Sequence, residues 1–174
     1  MEKKQFEYME EVIKHFLDGK NWRYNYMESA GFFEFYAYLT DANKELRYTI
    51  DVRRNAYIII AALMLDECPD YRVRSDNLSN FANLVNEELS VGNFYVNHRT
   101  QEICYKLTHE SGTQELSKED IEKKIYYVAS KMQYYTSGFE SVLRGVEPIE
   151  ALEQSRRKLV NRIFDSFLKN ADND

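Results

Sequence analysis

Chemistry in a chain of this size starts from histidines, cysteines and paired carboxylates. The three histidines are His15, His98 and His109, expected on a helix, in a turn and at a strand end. A metal centre needs converging ligands, with tight spacing in at least one pair, and neither His-x-x-x-His nor Cys-x-x-Cys occurs. The histidines are read as solvated polar side chains, and no metal site and no cofactor is assigned. A nucleophilic cysteine needs a lowered pKa and an adjacent base. Cys68 stands next to Pro69, and Cys104 lies five residues from His109 on one predicted strand, which sends the two side chains to opposite faces. The carboxylates Asp66-Glu67 and Glu10-Glu11 show no shared cleft to part their pKa values, and the second pair reads as a solvated helix face. No glycine-rich phosphate loop, Gly-x-Ser-x-Gly elbow or zincin helix is present. The catalytic residues are therefore read as none, and the chain as not an enzyme.

Tyrosine is the residue in surplus, with 14 in 174 positions. Its ring buries while its hydroxyl meets water or a partner, which suits interfaces. Many of these rings are accounted for by covering a sheet edge or a helix seam. Trp22, Tyr24, Tyr26, Tyr36 and Tyr38 are the residues best placed to line an aromatic groove for a partner, because both runs fall early in the sheet, near an edge. A second reading puts a small-ligand pocket between the sheet and a long helix, near Tyr127, Tyr134 and Tyr135. Strand aromatics also serve RNA-binding sheets. Their basic companions are thin here: Arg23, Arg47, Arg53, Arg54, Arg72 and Arg74 in a chain of net charge −6. Nucleic acid is not an expected partner, since binding it requires neutralising phosphates.

The C-terminal stretch carries Arg156-Arg157-Lys158 and Arg162 beside Leu159, Val160, Ile163, Phe164, Phe167 and Leu168. A stripe that wide demands burial. Packing on its own domain is the first reading; contact with a second subunit through Ile163, Phe164 and Phe167 is the next. Asp165 and the acidic tail weaken a membrane-surface role. The start Met1-Glu2-Lys3-Lys4-Gln5 enters an amphipathic pattern without an apolar signal region, and the run Tyr57–Leu65 is too short to span a bilayer. With cysteines unsuited to a disulfide framework, the expected location is the cytoplasm.

The elements that must position these residues follow from periodicity. Low glycine and proline with 44% hydrophobic content indicate one ordered globular unit. Phe6, Met9, Ile13 and Phe16 make one stripe of a helix ending near Gly19. Phe32–Leu39 is almost wholly apolar, and after the turn Asp41-Ala42-Asn43-Lys44 the residues Leu46, Tyr48, Ile50 and Val52 alternate with Arg47, Thr49, Asp51 and Arg53, as in a half-buried hairpin. Tyr57–Leu65 reads as a central strand covered on both faces. Ser75 or Asp76 is expected to cap a helix with the stripe Leu78, Phe81, Val85 and Leu89. Gly92 opens a second hairpin, Asn93–Asn97 and Glu102–Thr108. Ser117, with Asp120 in place of the usual Glu, caps a long helix whose stripe runs from Ile121 to Val142 and stops at Gly145. Pro148 opens a last helix.

The fold class is thus α+β: an antiparallel sheet of about five to six strands with helices on one face, in the order α-β-β-β-α-β-β-α-α. That order and two phrases resemble the YbjN family, whose fold is similar to that of type III secretion chaperones. One phrase is Val91-Gly92-Asn93-Phe94-Tyr95-Val96-Asn97 with the returning Glu102-Ile103-Cys104-Tyr105-Lys106. The other is Leu143-Arg144-Gly145-Val146-Glu147-Pro148-Ile149-Glu150-Ala151-Leu152. Asn97 stands where the family pattern has Asp, and Ile149 where it has an acidic residue. The resemblance covers residues 5–152, and implies a YbjN-like domain over 1–152 with a helical extension and acidic tail over 153–174. It also implies a chaperone-like or sensory-regulatory role without an established activity. The expected function is a non-enzymatic module that binds a protein partner or a second copy of itself, with a small-ligand sensor as the alternative.

Overall fold

The computed structural model describes residues 2–39, 43–65, 71–110 and 116–158. The first helix, α1 (Glu2–Gly19), buries Met9, Ile13, Phe16 and Leu17, the face its spacing requires. Four strands follow: β1 (Tyr24–Met27), β2 (Phe32–Leu39), β3 (Lys44–Arg53) and β4 (Ala56–Met64). After α2 (Tyr71–Glu87) come β5 (Asn93–Asn97), β6 (Glu102–Glu110) and α3 (Lys118–Leu143), then helical residues 148–158, termed α4. The sheet order is β1-β2-β3-β4-β6-β5, with every neighbouring pair antiparallel. This is the expected α+β class, with one short strand more ahead of α2.

The helices share one face of the sheet. Phe33 and Phe35, then Leu46, Tyr48, Ile50 and Val52, then Tyr57, Ile59, Ala61 and Leu63 point towards them and are buried. Each Phe, Leu, Ile or Val among them contributes roughly 1.5–3 kcal/mol on leaving water. α3 supplies Ile121, Ile125, Val128, Met132, Tyr135, Phe139 and Val142. Ser117 and Asp120 close its N-terminus as a reciprocal capping box, so Asp serves where Glu is usual. Gly145, at φ +101°, turns the chain out of α3. α4 then seats Ala151, Leu152 and Ser155 against the domain; a side chain at Gly138 would collide with Phe81 and the Ser155 Oγ. α4 is continuous across residue 152.

Three local expectations are corrected. α2 starts at Tyr71, a turn before Ser75 and Asp76, because buried Tyr71 extends the Leu78–Phe81–Val85 stripe upstream; Ser75 donates to the Arg72 carbonyl instead of capping. β4 is central but not covered on both faces: Ile58 and Ile60 are only half-buried and Met64 is 66% exposed. Glu10 is not simply solvated, since it accepts a hydrogen bond from the Tyr26 hydroxyl at 2.6 Å. Asp41-Ala42, Asp66-Glu67, Cys68, Pro69 and the segment with Ile163, Phe164 and Phe167 lie outside the described residues.

Candidate functional site

Strand period two puts a second set of side chains on the face away from the helices. Across five strands one register row reads Tyr36, Arg47, Ala62, Cys104, Tyr95. Ala62 is small enough for the Arg47 side chain to cross β4 and reach β6. There its guanidinium donates to Glu102 Oε1 at 2.7 Å, while Glu34 on β2 lies 3.7 Å away. Glu102 also accepts from the Thr100 hydroxyl at 2.7 Å. The hydrogen bond to Glu102 holds the Arg47 pKa still higher than usual, against the opposing effect of burial. Arg53 is likewise taken by Asp51 at 2.5 Å, so the outward arginines of β3 are neutralised rather than gathered into a basic patch.

A cleft of about 340 Å³ opens beside this ion pair, between Tyr36, Ala62, Met64, Glu45 and Glu102. Tyr36 and Tyr38 are 51% and 58% exposed, and Tyr38 donates to Asn43 Oδ1. The site is therefore an aromatic and aliphatic rim around a satisfied charge pair. Cys104, at the far side, is buried, and desolvation pushes its thiol up to about 11 despite a hydrogen bond from Tyr95. A thiol held protonated in this way is a poor nucleophile.

The five aromatic residues singled out from sequence do not share this face. Tyr24 and Tyr26 pair with Phe35 and Phe33 and so turn towards α1. Their hydroxyls donate to Asp18 at 2.9 Å and Glu10 at 2.6 Å. Burial, then the bond to Asp18, pushes the Tyr24 hydroxyl up to about 12. Trp22 packs between Phe16 and Phe35, at 5.7 and 5.4 Å. These three residues pin β1 to α1, while Tyr36 and Tyr38 are brought together on the open face. Sequence reasoning missed Ala62, Met64 and Glu102. Strict alternation along the Tyr57–Leu65 run would have placed the first two on the outward face.

Near Tyr127, Tyr134 and Tyr135 the rings pack on one another and on their neighbours. Tyr127 lies 6.4 Å from Tyr105 and Tyr134 lies 4.3 Å from Tyr135, whose hydroxyl donates to Glu88 at 3.4 Å. His15 is exposed on α1, as expected, but the other two histidines are more engaged than solvated side chains would be. His98, though exposed, bonds through both ring nitrogens, to the Tyr71 hydroxyl at 3.1 Å and the Ser79 hydroxyl at 3.0 Å. Ser79 lies inside α2, where neighbouring backbone N–H groups are committed to helix bonds and offer no oxyanion donors. The arrangement works as a tie between α2 and the β5–β6 turn. His109 is half-buried beside Tyr57, at 5.1 Å. No group of three or more metal-ligating side chains converges among the described residues. Among the same residues no helix is long and apolar enough to cross a membrane.

No family model matches the chain, and no curated protein matches it. Among solved structures the chain is similar to YbjN from E. coli, a proposed transcription regulator, at 8% identity and a TM-score of 0.51, over 71% of this chain and 85% of that one. It also aligns with the HopA1–SchA chaperone–effector complex at 10% identity and a TM-score of 0.47, over 77% of this chain and 94% of that one. At such identity the first likeness is one of architecture. The protein has a YbjN-like fold.

Proposed function

We propose that the protein is a non-enzymatic, cytoplasmic protein-interaction module whose open sheet face holds an extended segment of a partner protein. One observation carries this reading: Tyr36, Tyr38 and Met64 stand exposed on the same face, around a cleft whose central charges are already paired. Exposed large side chains around a satisfied polar centre match the composition of interaction surfaces. The neighbouring backbone adds a second attachment. β2 continues through Tyr36–Leu39 beyond its last pairing with β1 at Phe35, so a partner strand has a place to add main-chain bonds beside the two tyrosines.

The test is co-purification of a tagged chain from its native cytosol, comparing wild type with Tyr36→Ala/Tyr38→Ala. A stoichiometric protein that is lost from the double variant, with circular dichroism unchanged, is the expected result. Equal recovery with both chains would reject the open face as the binding surface.

A further inference from the structure

α4 runs back along α3: Ser155 sits against Gly138, and the next residue, Arg156, donates at 2.7 Å to Glu88, just past the end of α2. Leu152 is buried. Arg156, Leu159, Ile163 and Phe167 follow it at four, seven, eleven and fifteen residues, a spacing that keeps them on its side of an α-helix. Arg156 shows where that side faces, towards the connection from α2 to β5. This connection and α3 form the two walls of an apolar seam. Leu89 is half-buried and Val91 is 50% exposed on one wall; Tyr134 and Tyr127, both half-buried, stand seven residues apart on one face of the other. Tyr105 ties the walls together, its hydroxyl donating to the Val91 carbonyl while its ring lies 6.4 Å from that of Tyr127. Lys131 lies over the Tyr127 ring at 5.0 Å, so its stem adds apolar cover between the two tyrosines.

We propose that residues 159–168 of the same chain, which lie outside the described residues, dock on this seam. They would continue α4 so that Leu159, Ile163 and Phe167 cover Tyr134, Tyr127, Leu89 and Val91. The lengths agree: as a helix Leu159 to Phe167 rises about 12 Å, against about 10 Å from Tyr134 to Tyr127. Lys158, where the described part of α4 ends, is two residues past the Arg156–Glu88 contact and so delivers the stripe at the head of the seam. That tether gives the chain's own segment an effective concentration that a second copy would have to match. The docked segment would occupy the surface near Tyr127 and Tyr134 that the sequence suggested for a small ligand. The seam lies on the helical side of the sheet, apart from the face around Tyr36, and does not rest on the reading of that face.

The experiment places a photoreactive phenylalanine analogue at Tyr127 in the purified full chain, and in a control chain at Tyr36 on the open sheet face. Trypsin cuts after Arg162 and Lys169, and mass spectrometry maps the adducts. Adducts joining position 127 to residues 163–169 of the same chain are expected. Ile163→Asp/Phe167→Asp should lower their yield at least tenfold and leave the fluorescence of Trp22, which is packed at the other end of the core, unchanged. No adduct between position 127 and 163–169, an equal yield from position 36, or an unchanged yield in the double variant would overturn the proposal. Adducts of mixed isotope from an equimolar blend of labelled and unlabelled chains would also overturn it, assigning the seam to a second copy.

Discussion

The side chain of Asn86 in α2 meets both backbone polar groups of Phe94 in β5. Its Nδ2 donates to the carbonyl at 2.9 Å, and its Oδ1 accepts from the N–H at 2.7 Å. β5 is the last strand of the sheet, so one carboxamide occupies bonding sites that a further strand would otherwise take.

Asn86→Ala is therefore expected to lower stability by about 1–3 kcal/mol, the cost of leaving half-buried backbone groups unpaired, and to raise the aggregation rate on warming. Asn86→Asp should fall between, because it keeps the acceptor for the N–H and loses the donor. Urea unfolding with light scattering checks both; an alanine variant as stable and as soluble as wild type would contradict the edge-closing role.

The Arg47–Glu102 pair should behave as a coupled unit. The Glu102 side chain is 7% exposed and that of Arg47 is 35% exposed, which discounts the value expected for a fully buried pair. Glu102→Leu alone is expected to cost about 2 kcal/mol, because Arg47 keeps only the longer contact to Glu34. Arg47→Met/Glu102→Leu should cost less than the sum of its single changes, by about 1 kcal/mol. Strict additivity in denaturant titrations would show that the two groups do not depend on each other.

Two titrations near the N-terminus of α3 divide the acid response. Burial lowers the His109 pKa below its ordinary 6.5, Lys124 adding to the effect and Asp120 opposing it. The fold thus favours neutral imidazole, so stability is fully present above 6.5 and is lost as the pH falls through the lower folded-state value. The Ser117 hydrogen bond holds Asp120 below its ordinary 3.8. Its contribution is present above 3.8 and disappears as the pH drops through the still lower folded value. His109→Gln should flatten the profile below pH 6.5, where the imidazole titrates, and leave the more acidic limb; Asp120→Asn should do the reverse. A His109→Gln profile that parallels wild type as the pH falls below 6.5 would remove imidazole desolvation as the cause.

Much of the architecture was legible because it rests on local periodicity. The α3 stripe from Ile121 to Val142, the capping pair Ser117 and Asp120, and the alternation of β3 all survive in the structure. The division of the tyrosines did not, for a physical reason. Which face Tyr24 and Tyr26 take depends on how the four-residue β1 registers on β2, a long-range pairing that neither strand encodes alone. The Arg47–Glu102 contact similarly depends on β6 entering beside β4, with Ala62 leaving the passage between them. The unbroken apolar run of β4 signalled burial but not whether one face or both would be covered. The early start of α2 was hidden because the first turn, Tyr71-Arg72-Val73-Arg74, buries Tyr71 while its other apolar residue, Val73, is 74% exposed and off the stripe.

The measurement that tests the central claim most directly is photo-crosslinking from single positions in cells. A photoreactive phenylalanine analogue is placed at Tyr38 on the open face, and in a second chain at Tyr24 on the face turned to α1. The account predicts a discrete protein adduct from position 38 and none from position 24. Adducts from position 24 alone, or equally from both, would contradict it.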